Sequence, residues 1–141
     1  MKRTVNKMKN RILIADDDWF FLQLLKFKLG KYGFEVITAN NEKELWKHAF
    51  DSEPDLILID LLLKSKIGSD VYETMIDFGL KQDVPVVFMS AFVDQQETIV
   101  LGEKDEAAFP VLSKLCCLET FVNEINSLLD KKPFCQIECQ R

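Results

Sequence analysis

The stretch that decides the fold is Ile12-Leu13-Ile14-Ala15-Asp16-Asp17-Asp18, in which four apolar residues run directly into three aspartates. A second stretch has the same form, Asp55-Leu56-Ile57-Leu58-Ile59-Asp60. Short, continuous apolar runs of this kind are typical of strands buried on both faces of a parallel sheet. Each stretch therefore predicts a central strand that delivers carboxylates at its carboxyl end.

Helical patterns separate the apolar runs along the chain. We predict further strands over residues 34–38, 85–89 and 109–112, and helices over 18–31, 41–50, 69–80, 94–102 and 118–129. The first helix is expected to bury one face, formed by Phe21, Leu24, Leu25 and Leu29. Because strands and helices alternate throughout, the pattern predicts an α/β domain in three layers, with helices on both faces of a parallel sheet.

Length and composition limit the domain count and the class of protein. The chain of 141 residues is long enough for one domain, which we assign to residues 10–130, with tails at 1–9 and 131–141. Hydrophobic residues make up 48% and charged residues 29%, which is typical of a globular protein and excludes a disordered one. The net charge of −5 gives no general basic field, so we expect no direct binding of nucleic acid.

The expected compartment is the cytoplasm. No apolar run approaches the ~20 residues of a membrane-spanning helix, so we expect no membrane insertion. Residues 1–11 lack the apolar segment of a secretory signal. Four cysteines are too few for a disulfide framework in a chain of this length, and no function is assigned to Cys116, Cys117, Cys135 or Cys139.

Polar side chains follow the predicted strands where each strand ends. They are Asp16 and Asp17 after the first strand, Asp60 at the third, Ser90 at the fourth and Lys114 at the fifth. Ligands of open parallel sheets bind at this edge. Close carboxylates repel one another and suit Mg²⁺, with Mn²⁺ as a second candidate, while a hydroxyl and an ammonium suit a phosphoryl group. The set predicts Mg²⁺-dependent phosphoryl transfer onto Asp60 as nucleophile.

The chain resembles the receiver domains of two-component response regulators, in particular the single-domain, chemotaxis-regulator type. The motifs that carry the resemblance, in order, are residues 12–18, residues 55–60, Gly68, residues 85–91, and Ala108 with Ser113-Lys114. The resemblance implies a flavodoxin-like, doubly wound sheet of five parallel strands in the order 2-1-3-4-5. It also implies that the chain is a phosphorylation-controlled signalling module and not an enzyme. Such a module accepts a phosphoryl group and loses it slowly.

The family also implies a role for each residue at this edge. Asp60 would be the phosphoacceptor, and Lys114 its counter-ion. The metal would be held by Asp16, Asp17, Asp60 and the backbone carbonyl of Leu62. The phosphoryl group would be bound by Ser90, Ala91 and Lys114. The phosphodonor would be a histidine kinase or a histidine phosphotransfer protein, and the output would pass to an unidentified effector protein.

The sequence departs from the family pattern at three positions. Lys64 replaces a frequent proline four residues after the acceptor, and Leu115 replaces the proline that usually follows the lysine, so we expect no cis peptide there. Val111 occupies the position of the usual aromatic switch residue. In the family, positions 62 and 92 flank the path of the hydrolytic water. Because Leu62 and Phe92 are apolar, we expect slow self-dephosphorylation.

A docking surface is predicted at the start of the first helix. The helical spacing places Trp19 outward and Phe20 beside it, next to the acidic edge. In the family this helix contacts the phosphodonor, so we assign both residues to docking. The alternative is that Trp19 folds onto the neighbouring loop.

Two other functions are alternatives to a receiver. A small Mg²⁺-dependent phosphatase of the haloacid dehalogenase type also has an Asp-x-Asp after its first strand, as Asp16-Asp17-Asp18 does. That enzyme carries its nucleophile on the first strand, so an aspartate at position 60 would have no role. A receiver-like scaffold that is never phosphorylated would not need the complete acidic set.

Overall fold

The computed structural model describes residues 9–64, 66–81, 83–92, 97–101 and 107–130. The strands are β1 (Arg11–Ala15), β2 (Glu35–Ala39), β3 (Leu56–Asp60), β4 (Leu62–Leu63), β5 (Lys66–Ile67), β6 (Val86–Ser90), β7 (Glu97–Leu101) and β8 (Ala107–Ser113). The helices are α1 (Trp19–Lys31), α2 (Glu42–Asp51), α3 (Gly68–Asp77) and α4 (Leu118–Asp130). In the part of the chain that is described, no helix is both long and apolar enough to span a membrane.

The main sheet has the strand order β2-β1-β3-β6-β8-β7. Its first five strands pair in parallel, and their order along the chain is the predicted 2-1-3-4-5. The predicted doubly wound, flavodoxin-like sheet is therefore confirmed. The β7 strand adds an antiparallel edge next to β8 that was not predicted.

Both faces of the sheet are buried, because successive side chains of a strand point to opposite faces. Leu13, Ile57 and Phe88 pack against α2 and α3, whereas Ile14, Leu58 and Met89 pack against α1 and α4. Every residue of β3 and β6 is buried. This two-sided burial explains why the central strands are continuous apolar runs, and it gives the three-layer arrangement that the sequence predicts.

The helix predicted over residues 94–102 was wrong. Residues 97–101 form β7, which runs antiparallel to β8 with Ile99 opposite Phe109. The run Thr98-Ile99-Val100 is β-branched, which disfavours a helix and favours an extended strand. A two-stranded hairpin of β4 and β5 was also not predicted; Lys64 in its turn has a positive φ of 57°.

The α1 helix begins where it was predicted, but its buried face is rotated. Asp18 caps the helix by accepting a hydrogen bond from Phe21 N at 3.1 Å. Leu22, Leu25 and Leu29 are buried, while Leu24, which was predicted to point inward, is 47% exposed.

Cys116 and Cys117 are free thiols, whereas Cys135, Cys139 and the two predicted tails, apart from Lys9, lie outside the described residues.

The start of α3 packs closely against the carboxyl end of β3. Gly68 N donates a hydrogen bond to the Leu61 carbonyl at 2.7 Å. A Cβ added at Gly68 would overlap the backbone oxygen of Asp60 and lie 3.0 Å from Ile59 Cγ2. Only glycine fits here without displacing the strand end that carries Asp60.

We expect Gly68→Ala to destabilise the fold by about 1–3 kcal/mol, because the added methyl group meets backbone rather than a movable side chain. Gly30→Ala is the matched control: nothing lies within 4 Å of a Cβ there, and alanine in a helix should raise stability by roughly 0.5–1 kcal/mol. Urea unfolding of both variants measures the difference. Equal free energies of unfolding would contradict the close packing described for Gly68.

Candidate functional site

Three carboxylates meet at the carboxyl end of the sheet. Asp16 follows β1 and Asp60 ends β3, and these strands are neighbours with Ala15 opposite Ile59. Carboxylate oxygens of Asp16, Asp17 and Asp60 all lie within 4.8 Å of one another. Asp16 is fully buried and Asp60 is 8% exposed, while Asp17 is exposed. The predicted cluster is thus brought together, with one member open to solvent.

Lys114 is the cation of the cluster. Its Nζ lies 2.5 Å from Asp16 Oδ2 and donates to Asp60 Oδ2 at 3.2 Å. Its backbone N donates to the Ser90 carbonyl at 2.9 Å, which ties the end of β8 to the end of β6. The ammonium also faces the ring of Phe21, 4.8 Å from the ring centroid. The sequence suggested only a core position for Phe21, because this contact depends on how α1 sits against β8.

Burial and charge shift the pKa values of this cluster. Burial, which is the largest effect, and the nearby Asp60 carboxylate together raise the pKa of Asp16 to about 6, against the opposing effects of Lys114 and of the hydrogen bond from the Asp18 backbone N. Burial alone would lower the pKa of Lys114. The Asp16 and Asp60 carboxylates outweigh it, so the pKa of Lys114 lies above its ordinary value.

The donor set of the cluster fits a hard divalent cation. Asp16 Oδ2 is buried and forms an ion pair with the Lys114 ammonium. The three side chains of the cluster offer carboxylate oxygens, which Mg²⁺ prefers. Three carboxylates facing one ammonium also leave an excess of negative charge.

Backbone amides orient the other polar groups. Phe92 N donates to Ser90 Oγ at 3.0 Å, so the Ser90 hydroxyl hydrogen remains free to donate. Leu62 N donates to Asp60 Oδ1 at 3.2 Å. Ser90 is buried and the adjacent Ala91 is exposed, so the small Ala91 leaves the approach to the hydroxyl open.

Exposed apolar side chains belong to the segments that carry these polar groups. Trp19 is 55% and Phe20 78% exposed, and their rings meet edge to face with centroids 5.4 Å apart. Both are exposed, as the sequence predicted, and Trp19 keeps half of its surface in solvent. Leu62, Phe92 and Leu115, in the segments after β3, β6 and β8, are also exposed. The exposure of Leu115 near the site was not predicted, because the sequence marked this position only as one where a proline is replaced.

The chain matches a known protein family over most of its length. Residues 12–126 match the family described as the response regulator receiver domain. The chain is 30% identical over 121 residues to the DNA-binding transcriptional regulator NtrC of Azospirillum brasilense, a match that covers 84% of this chain and 24% of NtrC.

Two further comparisons agree with this match. The chain is 33% identical over 95 residues to the alkaline phosphatase synthesis transcriptional regulatory protein PhoP of Bacillus subtilis, covering 67% of this chain and 38% of PhoP. It therefore spans well under half the length of these two relatives. Among solved structures, the non-phosphorylated HemR receiver domain from Leptospira biflexa superposes with a TM-score of 0.69 at 22% identity. The match covers 88% of this chain and 97% of the solved receiver domain, and it shows a likeness in fold.

The acidic cluster predicts weak binding of Mg²⁺ that depends on Asp17 and on pH. Asp17→Asn should weaken binding, whereas Asp18→Asn should not, because Asp18 caps α1 and asparagine caps equally well. Since the proton on Asp16 competes with the metal, affinity should fall as the pH drops below about 6. Calorimetric titration at several pH values measures both effects. Equal affinity for the wild type and Asp17→Asn would exclude this site.

Proposed function

This chain belongs to the family of response regulator receiver domains, and on that premise we propose that Asp60 accepts a phosphoryl group from a protein phosphodonor. The observation that carries the proposal is the position of Asp60, which is nearly buried within reach of both Lys114 and the other two carboxylates. A receiver domain is a module of phosphorylation-controlled signalling, and we assign its switching chemistry here to Asp60.

In the transfer step, a carboxylate oxygen of Asp60 attacks the phosphorus atom. The bond between phosphorus and the donor's leaving atom breaks, and its electron pair stays with the donor. Lys114 already donates to Asp60 Oδ2, so its ammonium is in place to balance charge on the transferred group. The Ser90 hydroxyl, whose oxygen already accepts from Phe92 N, would donate to a phosphoryl oxygen.

We propose Mg²⁺ as the cofactor, held by Asp16, Asp17, Asp60 and the Leu62 carbonyl, with Mn²⁺ as a substitute. When bound, the metal would offset the negative charge of the carboxylates and of the phosphoryl oxygens. The excess negative charge of the cluster, three carboxylates beside one ammonium, supports this assignment.

We further propose a histidine kinase or a histidine phosphotransfer protein as the donor, docked on Trp19 and Phe20. Exposed aromatic side chains often provide most of the binding energy when an interface buries them. They are the first two residues of α1 and follow directly after Asp18, the N-cap of the helix, and the acidic cluster. The output would pass to an effector protein that recognises the phosphorylated state.

The phosphatase alternative loses support from the same geometry. Asp16, which would be its nucleophile, is fully buried and paired with Lys114. The family match is to receivers rather than to phosphatases. A permanently unphosphorylated scaffold would leave the buried carboxylates and their ammonium without a use.

We expect Asp60→Asn to abolish labelling by a small donor such as acetyl phosphate while keeping the fold, because the substitution is nearly isosteric. Asp77→Asn, an exposed aspartate at the end of α3, should label like the wild type. Quantifying acid-labile phosphate after Mg²⁺ and donor are added measures the change, and circular dichroism checks the fold. Full labelling of Asp60→Asn would exclude Asp60 as the acceptor.

The lifetime of the phosphorylated state should depend on Leu62 and Phe92. Leu62 is 52% exposed in the hairpin next to Asp60, and Phe92 is 90% exposed next to Ser90. Phe92 therefore does not cover the site in this structure. What the two side chains have in common is that neither can hydrogen-bond a water and orient it toward phosphorus.

We expect slow phosphate loss, which Leu62→Asn or Phe92→Glu should accelerate by about tenfold, equivalent to about 1.4 kcal/mol of activation free energy. Ile67→Asn is the control, since Ile67 is also 52% exposed and pairs with Leu62 across the hairpin. The measurement follows phosphate loss after the donor is removed. If decay is already fast and neither substitution accelerates it, these side chains do not control hydrolysis.

A further inference from the structure

The α1 helix is apolar on two opposite faces. Its inner face packs on the sheet through the buried Leu22, Leu25 and Leu29. Its outer face carries Phe20, Leu24 and Phe27, which are 78%, 47% and 62% exposed; we call these three residues the outer stripe. They are spaced at i, i+4 and i+7, so they form one continuous row along the helix. A helix that only covers a sheet does not need this second row.

The two ends of the outer stripe carry opposite charges. The exposed Asp17 and Asp18 lie just before the first turn. From Trp19 to Lys31 the helix contains no acidic residue, and its lysines are all in the second half: Lys26, Lys28 and Lys31. The Lys31 ammonium lies 4.4 Å from the centroid of the Phe27 ring, which holds one positive charge on the stripe itself.

We propose that the outer stripe binds the same stripe of a second copy of this chain, with the two α1 helices antiparallel. Leu24 would lie on the two-fold axis, since Asp17 is seven residues before it and Lys31 seven residues after it. Phe20 would then meet Phe27 of the other copy, and Asp17 would face its Lys31. A parallel pairing would instead place like charges together, so charge complementarity selects the antiparallel arrangement.

The resulting contact is isologous, because each copy uses the same surface. One helix pair covers less area than a permanent dimer needs, so the association is weak and depends on protein concentration. Phe20 belongs both to the stripe and to the proposed donor-docking surface. A dimer would therefore exclude the phosphodonor, and donor binding would separate the copies. The pairing itself does not require phosphorylation of Asp60, and only its competition with the phosphodonor rests on the proposed function.

Sedimentation velocity of the full chain over a range of concentrations tests the pairing. The wild type and Asp60→Asn should show the same monomer–dimer equilibrium. Leu24→Glu should weaken dimerisation by at least about tenfold, because it brings two carboxylates together in an apolar contact. Phe78→Glu is the control, since Phe78 is 71% exposed but lies at the end of α3. Circular dichroism checks that both variants fold.

Charge reversal tests the antiparallel register. Lys31→Glu and Asp17→Lys should each weaken dimerisation by about fivefold, and the double variant should restore it. Lys81→Glu, an exposed lysine outside α1, should change nothing. A chain that stays monomeric at all concentrations, a dimer insensitive to Leu24→Glu, or a double variant that is not restored would each overturn the proposal. If Leu24→Glu slowed only transfer from a donor protein, the stripe would belong to the donor instead.

Discussion

Two buried carboxylates share one ammonium at the end of the sheet, and the arrangement of the site depends on this contact. Asp16 and Asp60 repel each other, and burial adds a desolvation free energy that disfavours their charged forms. Lys114 reaches both, and its own backbone is tied to Ser90. The ends of four strands, β1, β3, β6 and β8, are thereby held in one geometry. The charge remains incompletely balanced, which favours a cation and then an anionic phosphoryl group at the same place.

The fold makes that contact possible because both faces of its sheet are covered. Continuous apolar strands leave only their ends for polar groups, so the functional side chains collect at one edge. Parallel pairing brings the ends of β1, β3, β6 and β8 to that edge side by side. Gly68 then allows α3 to start directly against the Asp60 carbonyl. The same elements therefore provide stability and position the acceptor.

Much of this architecture could be predicted from the sequence, since it follows from local patterns. The aspartates after β1 and β3 were predicted to meet because parallel strands of one sheet end at one edge. The β7 strand was missed because its residues also fit a weak helical pattern, and its pairing with β8 decides its state. Leu24 was assigned to the buried face in error, and the buried Leu22 was left out of it, because α1 is apolar on opposite sides and periodicity alone could not choose between them.

The contacts of Lys114 could not be predicted for a related reason. Its distances to Asp16, to Asp60 and to the Phe21 ring depend on how β8 and α1 pack together, and no local pattern encodes that. The β4–β5 hairpin likewise depends on a turn with positive φ at Lys64. Lysine has no preference for positive φ, so the sequence does not predict such a turn there.

The most direct test of the central claim is to locate the phosphoryl group on the chain. The wild type would be labelled with acetyl phosphate and Mg²⁺, the acyl phosphate trapped by borohydride reduction, and the modified peptide sequenced by mass spectrometry. The account predicts modification of the peptide that contains Asp60, at Asp60 itself. Modification at Asp16 or Asp17 would contradict it, because the buried pair around Lys114 would then hold the nucleophile on β1 rather than on β3.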